Sequence, residues 1–150
     1  MQVNVKICRV KSDKTDIPLP QYETAGSAGM DIRADINEAM VLKPKEICLV
    51  PTGLAISLEN GYECQVRSRS GLAAKYGIFA LNAPGTIDSD YRGEIKVILA
   101  NFGDKSFRIE RSDRIAQLVV AKYEKVRWIE TDSLDETRRG SDGFGSTGID

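Results

Sequence analysis

Apolar residues recur along this chain in short runs rather than long ones. Val3 to Val10, Glu46 to Leu58, Tyr62 to Arg67, Glu94 to Asn101 and Arg114 to Tyr123 are rich in β-branched and apolar side chains, and turn-forming residues bound them. That pattern predicts strands. Glu94-Ile95-Lys96-Val97 alternates as a strand with one wet face does. Leu118-Val119-Val120-Ala121 is apolar on both faces, which predicts burial or a subunit contact. Turns are expected at Pro44, Pro51 to Gly53, Asn60-Gly61 and Gly103-Asp104, a spacing that suits a sandwich or jelly roll. Ser70 to Tyr76 reads as the one short helix, with Ser70 as a possible N-cap and Gly77 as the stop; its N-terminus would offer free amides to an anion. The expected fold is all-β.

Composition narrows the function classes. With 150 residues, 41% of them hydrophobic, one domain with an ordinary core is expected over 1–150. Beyond Glu130 the apolar pattern fades, and 131–150 reads as a mobile, glycine-rich C-terminal arm. The 21 Lys and Arg nearly balance 22 Asp and Glu, giving a net charge of -1. That balance argues against general affinity for nucleic acid or an anionic membrane. No apolar run approaches the roughly 18 residues of a membrane span, and the start lacks the layout of a signal peptide, so an intracellular protein is expected. Cys8, Cys48 and Cys64 are widely spaced in apolar runs and read as buried, reduced thiols. The chain has no histidine. A general base must therefore come from another side chain.

Five polar, glycine-containing clusters carry the candidate chemistry: Ala25 to Ala34, Arg67 to Ala73, Asn82 to Gly93, Arg111 to Gln117 and Arg138 to Gly148. The third is the richest. It crowds Asn82, Asp88, Asp90, Tyr91 and Arg92 into a turn-rich stretch between apolar segments, where scaffold-mounted loops tend to carry function. Asp88 or Asp90 is the leading candidate base. In the second cluster, Arg67, Ser68, Arg69 and Ser70 offer guanidiniums and hydroxyls suited to phosphate oxygens, although a solvated basic turn has the same composition. In the first cluster, Ala28-Gly29-Met30-Asp31-Ile32 taken alone reads better as a plain turn entering a strand than as a site. In the tail, glycine amides with Ser146 and Thr147 match the needs of a phosphate chain, and Arg139 with Phe144 those of a base.

In order and spacing these clusters resemble the homotrimeric dUTPases, over nearly the whole chain. The resemblance rests on Ala28-Gly29-Met30-Asp31-Ile32, Arg69-Ser70-Gly71-Leu72-Ala73, Gly85-Thr86-Ile87-Asp88-Ser89-Asp90-Tyr91-Arg92-Gly93, Asp113-Arg114-Ile115-Ala116-Gln117-Leu118, and Arg139-Gly140 followed by Gly143-Phe144-Gly145-Ser146-Thr147-Gly148. It implies a jelly-roll subunit, a three-fold trimer with sites shared between chains, and Mg²⁺-dependent hydrolysis of dUTP to dUMP and pyrophosphate. By the same resemblance Asp88 would activate the attacking water, and Asp31 would hold water in the Mg²⁺ shell. Arg69, Ser70 and Gln117 would contact the phosphate chain, with Gly71, Gly85 and Thr86 also at the substrate. Asn82 would read the uracil edge, and Tyr91 would lie under the deoxyribose and exclude a 2′-hydroxyl. Arg139 and Phe144 would close over the base from a neighbouring chain, with Gly145, Ser146 and Thr147 at the terminal phosphate.

Three positions depart from the common family pattern: Ser68 where proline is frequent, and Ser112 and Asp142 where glycine is frequent. Competing readings are a dCTP deaminase of the same fold group and a nucleotide sensor that has lost turnover; the presence of Asp88 weighs against the sensor.

Overall fold

Strands dominate because β-branched and apolar residues alternate between closely spaced turns. In the computed structural model, which describes residues 3–11 and 16–143, the strands are β1 (Lys6–Arg9), β2 (Met30–Arg33), β3 (Met40–Leu42), β4 (Ile47–Pro51), β5 (Leu54–Ser57), β6 (Tyr62–Arg67), β7 (Ile78–Ala80), β8 (Gly85–Ile87), β9 (Lys96–Asn101), β10 (Phe107–Ile109) and β11 (Arg114–Lys122). A single helix among the described residues, α1 (Ser70–Tyr76), joins β6 to β7. All pairings are antiparallel, in sheets ordered β2-β11-β6-β8, β4-β9-β7, β1-β5 and β10-β3. The fold is a β jelly roll. No helix among the described residues is long and apolar enough to cross a membrane.

The core forms where the inward faces of the sheets meet. Ile32, Leu42, Val50, Ile78, Leu99, Ile109 and Ile115 are essentially removed from water. Ile95 and Val97 are buried while Glu94 and Lys96 are not, as the alternation predicts. Leu118 is buried; Val119, Val120 and Ala121 are half-buried. The run from Glu46 to Leu58 forms two strands, divided at the turn expected at Pro51 to Gly53. Thr52 and Gly53 break it: the Thr52 hydroxyl donates to Ile95 O at 2.6 Å, and Gly53 has φ +68 with its amide donating to the Glu94 carboxylate at 2.9 Å. Buried Asn101 donates to Leu42 O and Lys105 O and accepts from Gly103 N, which spares a side-chain amide in the core the cost of unmet hydrogen bonds.

Other expectations need correction. Ser70 is the first helical residue rather than the N-cap; Arg69 occupies the cap with extended φ and ψ and no side-chain capping bond, while Gly77 closes the helix at φ 68 as expected. Of the three free thiols only Cys64 is buried. Burial pushes its pKa up to about 11 and raises that of half-buried Cys48, whereas Cys8 is exposed because β1 shows little of itself to the core. After β11 the chain leaves the body, and residues 124–142 are all exposed without helix or strand.

Ser112 has φ 70, a left-handed conformation that costs an L-residue about 1–2 kcal/mol. Its backbone is nevertheless held, with the amide donating to Ala34 O at 2.8 Å and the carbonyl accepting from Arg33 Nη1 at 2.7 Å. Ser112→Gly keeps both bonds and removes the strain, offset in part by the greater freedom of glycine in the unfolded chain, so a net gain of roughly 0.5–1 kcal/mol and a Tm rise of about 1–4 °C are expected. Calorimetry at matched protein concentration checks this; a lowered Tm would mean that Ser112 contributes more than its backbone.

Candidate active site

Four of the five clusters lie on or beside one sheet. Antiparallel register places Asp31 of β2 opposite Gln117 of β11, and Gln117 opposite Arg67 of β6; Gln65, two residues back on the same face of β6, pairs with Thr86 of β8. Paired residues share a sheet face, so pairing delivers residues from four distant stretches to one surface.

Asp31 is the hub at the β2 end. Its Oδ1 accepts from Arg69 Nε at 3.0 Å and from Gln117 Nε2 at 3.3 Å, and its Oδ2 accepts from Arg114 Nη1 at 3.2 Å. Arg69 also donates from Nη1 to Arg114 O at 3.3 Å. The Asp31 side chain is only 11% exposed, so these donors supply the solvation that water would otherwise give a carboxylate. Arg114 was not singled out from the sequence for a physical reason. Residues three apart on a regular strand point to opposite faces, yet an irregularity between Arg114 and Ala116 shifts the register and brings Arg114 to the same carboxylate as Gln117.

The third cluster forms a separate cavity of about 400 Å³, lined by Asn82, Gly85, Thr86, Asp88 and Tyr91 with Leu49, Val66, Ile87, Glu94, Ile95 and Lys96. Glycine at 85 gives Asn82 room, since a Cβ there would stand 3.0 Å from Asn82 Nδ2. Asp88 follows the end of β8 and is exposed; it borders this cavity and a wider one of about 880 Å³ that Asp90, Arg92, Glu63 and Lys125 also line. Asp90 touches only the wider one. The loop is pinned by Tyr91 N donating to Asp88 O at 3.1 Å, and by Arg92 Nη1 donating to Ser89 O and Tyr91 O at 2.7 and 2.9 Å.

The two groups do not merge within one chain. Asp31 and Thr86 lie on β2 and β8, opposite edge strands three interstrand spacings or about 14 Å apart, and among the described residues no hydrogen bond or ion pair joins the Asp31 hub to the cavity. Ser68, the departure from proline, links their neighbourhoods: its Oγ accepts from Ala80 N at 2.9 Å, fixing the loop before Arg69 to the strand that leads to Asn82. Ser70 and Gly71 are exposed at the start of α1. Arg139 lies in an exposed local turn and donates from Nε to Asp142 O at 2.8 Å; Asp142 needs no left-handed backbone there. Phe144, Gly145, Ser146 and Thr147 lie outside the described residues.

The family profile for dUTPase matches residues 15–148. The chain belongs to the dUTPase family. It is 56% identical over 147 residues to a deoxyuridine 5′-triphosphate nucleotidohydrolase of Orientia tsutsugamushi, covering 98% of this chain and 99% of that one. It is 54% identical to the same enzyme of Anaplasma marginale over 97% of this chain and 99% of that one. The structure also resembles a Staphylococcus bacteriophage 80alpha dUTPase solved with dUpNHpp, at a TM-score of 0.84 and 25% identity over 97% and 99% of the two chains. As a dUTPase, the chain is a dUTP diphosphatase, an enzyme that hydrolyses dUTP.

Within this dUTPase the Asp31–Arg69 contact is partly buried and should couple energetically. A double-mutant cycle of Asp31→Asn and Arg69→Gln, read by denaturant unfolding at fixed protomer concentration, is expected to give a coupling of about 1 kcal/mol. Additive effects would mean that the contact contributes nothing to the fold.

Proposed function

We propose that this dUTPase cleaves dUTP to dUMP and pyrophosphate by attack of a carboxylate-activated water on the α-phosphorus. The reading rests on one observation above all: Asp88 is an exposed carboxylate on a pinned loop, at the rim of the cavity that Asn82 and Tyr91 line. Asp88 takes the proton from the attacking water as its oxygen bonds to the α-phosphorus. The bond from that phosphorus to the α,β-bridging oxygen breaks, and the leaving pyrophosphate keeps the electron pair. Asn82 pairs with the uracil edge through one amide acceptor and its donors. The Tyr91 ring lies against the deoxyribose, where a 2′-hydroxyl would lose its solvation without a partner. That dUpNHpp, a dUTP analogue, occupies a related dUTPase supports the same substrate here. The product would supply dUMP for thymidylate synthesis, and removal of dUTP would limit uracil in DNA.

Arg69, Ser70, Gly71 and Gln117 hold the phosphate chain and stabilise charge moving onto the leaving group. Arg139, Phe144, Gly145, Ser146 and Thr147 cover the bound nucleotide as part of the 131–150 arm. Mg²⁺ fits the donor set under one condition. No cluster of three or more His, Cys, Asp or Glu among the described residues could hold a metal, and both Asp31 oxygens already accept hydrogen bonds. Such residues suit an ion that keeps its waters and takes the substrate's phosphates as ligands, with Asp31 reaching it through water. When bound, Mg²⁺ would neutralise triphosphate charge and orient the chain for in-line displacement.

The separation of the Asp31 hub from the Asn82 cavity favours sites completed between chains, in a closed trimer. An unpartnered sheet face supports the same reading. Cross-strand pairing aligns Ile47 with Ala100 and Phe79, and Leu49 with Ile98, on the side of β4-β9-β7 away from the core, and Ile47 and Leu49 are more than half exposed. Leu49 also lines the nucleotide cavity, so cover for this face would extend to the site. Trp128 and Ile129, 89% and 81% exposed on the departing chain, offer further apolar surface. Sedimentation at assay concentration is expected to give a trimer; a fully active monomer would rule out shared sites.

Asp88→Asn keeps shape but is no base, so kcat should fall on the order of 100-fold or more while dUpNHpp binding changes little. Rates with dUTP, dCTP, dTTP and UTP, together with calorimetric titration of dUpNHpp, check this. Near wild-type turnover would move the base elsewhere, and deoxyuridine products from dCTP would favour the deaminase.

A further inference from the structure

Resting on the reading of Tyr91 as the sugar sensor, we infer that Gly93 is a specificity-determining positioning residue, the seat on which the Tyr91 ring is held. A Cβ at Gly93 would stand 2.6 Å from Tyr91 Cζ and 3.0 Å from Cε2, with the phenol oxygen nearer still. Real Cβ contacts essentially never fall below 3.0 Å, so any other residue at 93 forces the ring away. Backbone conformation does not explain this glycine. Among the described residues the positive-φ glycines are Gly53, Gly61, Gly77 and Gly140, and Gly93 is not one of them. The requirement for a bare Cα comes from the ring.

A second contact fixes the same phenol end of the ring. Tyr91 donates its phenol proton to Glu94 O at 3.0 Å. That carbonyl belongs to a rigid support: the Glu94 carboxylate accepts from Gly53 N at 2.9 Å, and Ile95 N donates to Leu54 O at 2.8 Å. The seat is thus tied to the start of β5. A ring exposed on its other side and lining the cavity with Asn82 and Asp88 can exclude a hydroxyl only if it cannot yield, and the seat is what prevents it from yielding.

The test measures kcat/KM for dUTP and for UTP on the wild type, Gly93→Ala, Tyr91→Phe, Tyr91→Ala and the Gly93→Ala/Tyr91→Ala double variant, each checked for melting and oligomeric state. Gly93→Ala should lower the dUTP-to-UTP ratio about tenfold, and in the Tyr91→Ala background the same change should alter the ratio less than about twofold, because the ring it acts through is gone. Tyr91→Phe, which keeps the ring and loses the tether, should give an intermediate ratio. If Tyr91→Ala narrows the ratio while Gly93→Ala leaves it unchanged, Tyr91 senses the sugar without this seat and the inference fails alone. If Tyr91→Ala also leaves the ratio unchanged, the sugar-sensing reading fails and takes the inference with it. Should Gly93→Ala not fold, Tyr91→Phe decides: an unchanged ratio overturns the seat, and a reduced one supports it.

Discussion

The pairing of β11 with β2 on one side and β6 on the other is the contact on which the site depends. It holds Gln117 beside Asp31 and Arg67, while Leu118 on the opposite face closes the core. A slip of one residue would exchange these faces, placing Gln117 in the interior and Leu118 in water. Apolar burial along β11 therefore sets the register, and the register sets the polar constellation. Asp31 then gathers Arg69, Arg114 and Gln117, so one carboxylate holds two guanidiniums and an amide together. A chain with net charge -1 thereby concentrates cationic groups at one place without being basic overall.

Much of this was legible in the sequence, and the failures have physical causes. Tyr62–Arg67 and Ser70–Tyr76 form as expected because each is a local pattern ended by its own signal, a basic loop in one case and Gly77 in the other. The three-residue strands β3, β7, β8 and β10 were not seen. They are too short to show a period, and their partners are distant, as where Phe107 pairs with Leu42. The misassigned N-cap reflects a choice between neighbours that composition does not decide. Arg114 was hidden by the irregularity in β11, and the exposure of Cys8 by the assumption that an apolar run is a buried one. The candidate residues were legible as clusters, but their division into a hub and a separate cavity was not, because only the sheet order separates β2 from β8.

That division gives the enzyme its logic. The hub carries positive charge held by a carboxylate, which suits a phosphate chain; the cavity carries an amide, a phenol and apolar walls, which suits a nucleoside. Asp88 stands at the cavity rim, where nucleoside and phosphates would meet under the proposed reading. On that proposal the α-phosphorus, the phosphorus bonded to the nucleoside, is the atom that a water activated by Asp88 would reach.

The site of attack is also the point at which this chemistry is most exposed to test. Single-turnover hydrolysis of dUTP in water labelled with heavy oxygen, followed by mass spectrometry of both products, reads it directly. Label is expected in the phosphate of dUMP and absent from pyrophosphate. Label in pyrophosphate would mean attack on the β-phosphorus, and would contradict the assignment of Asp88 to a water at the nucleoside end of the chain.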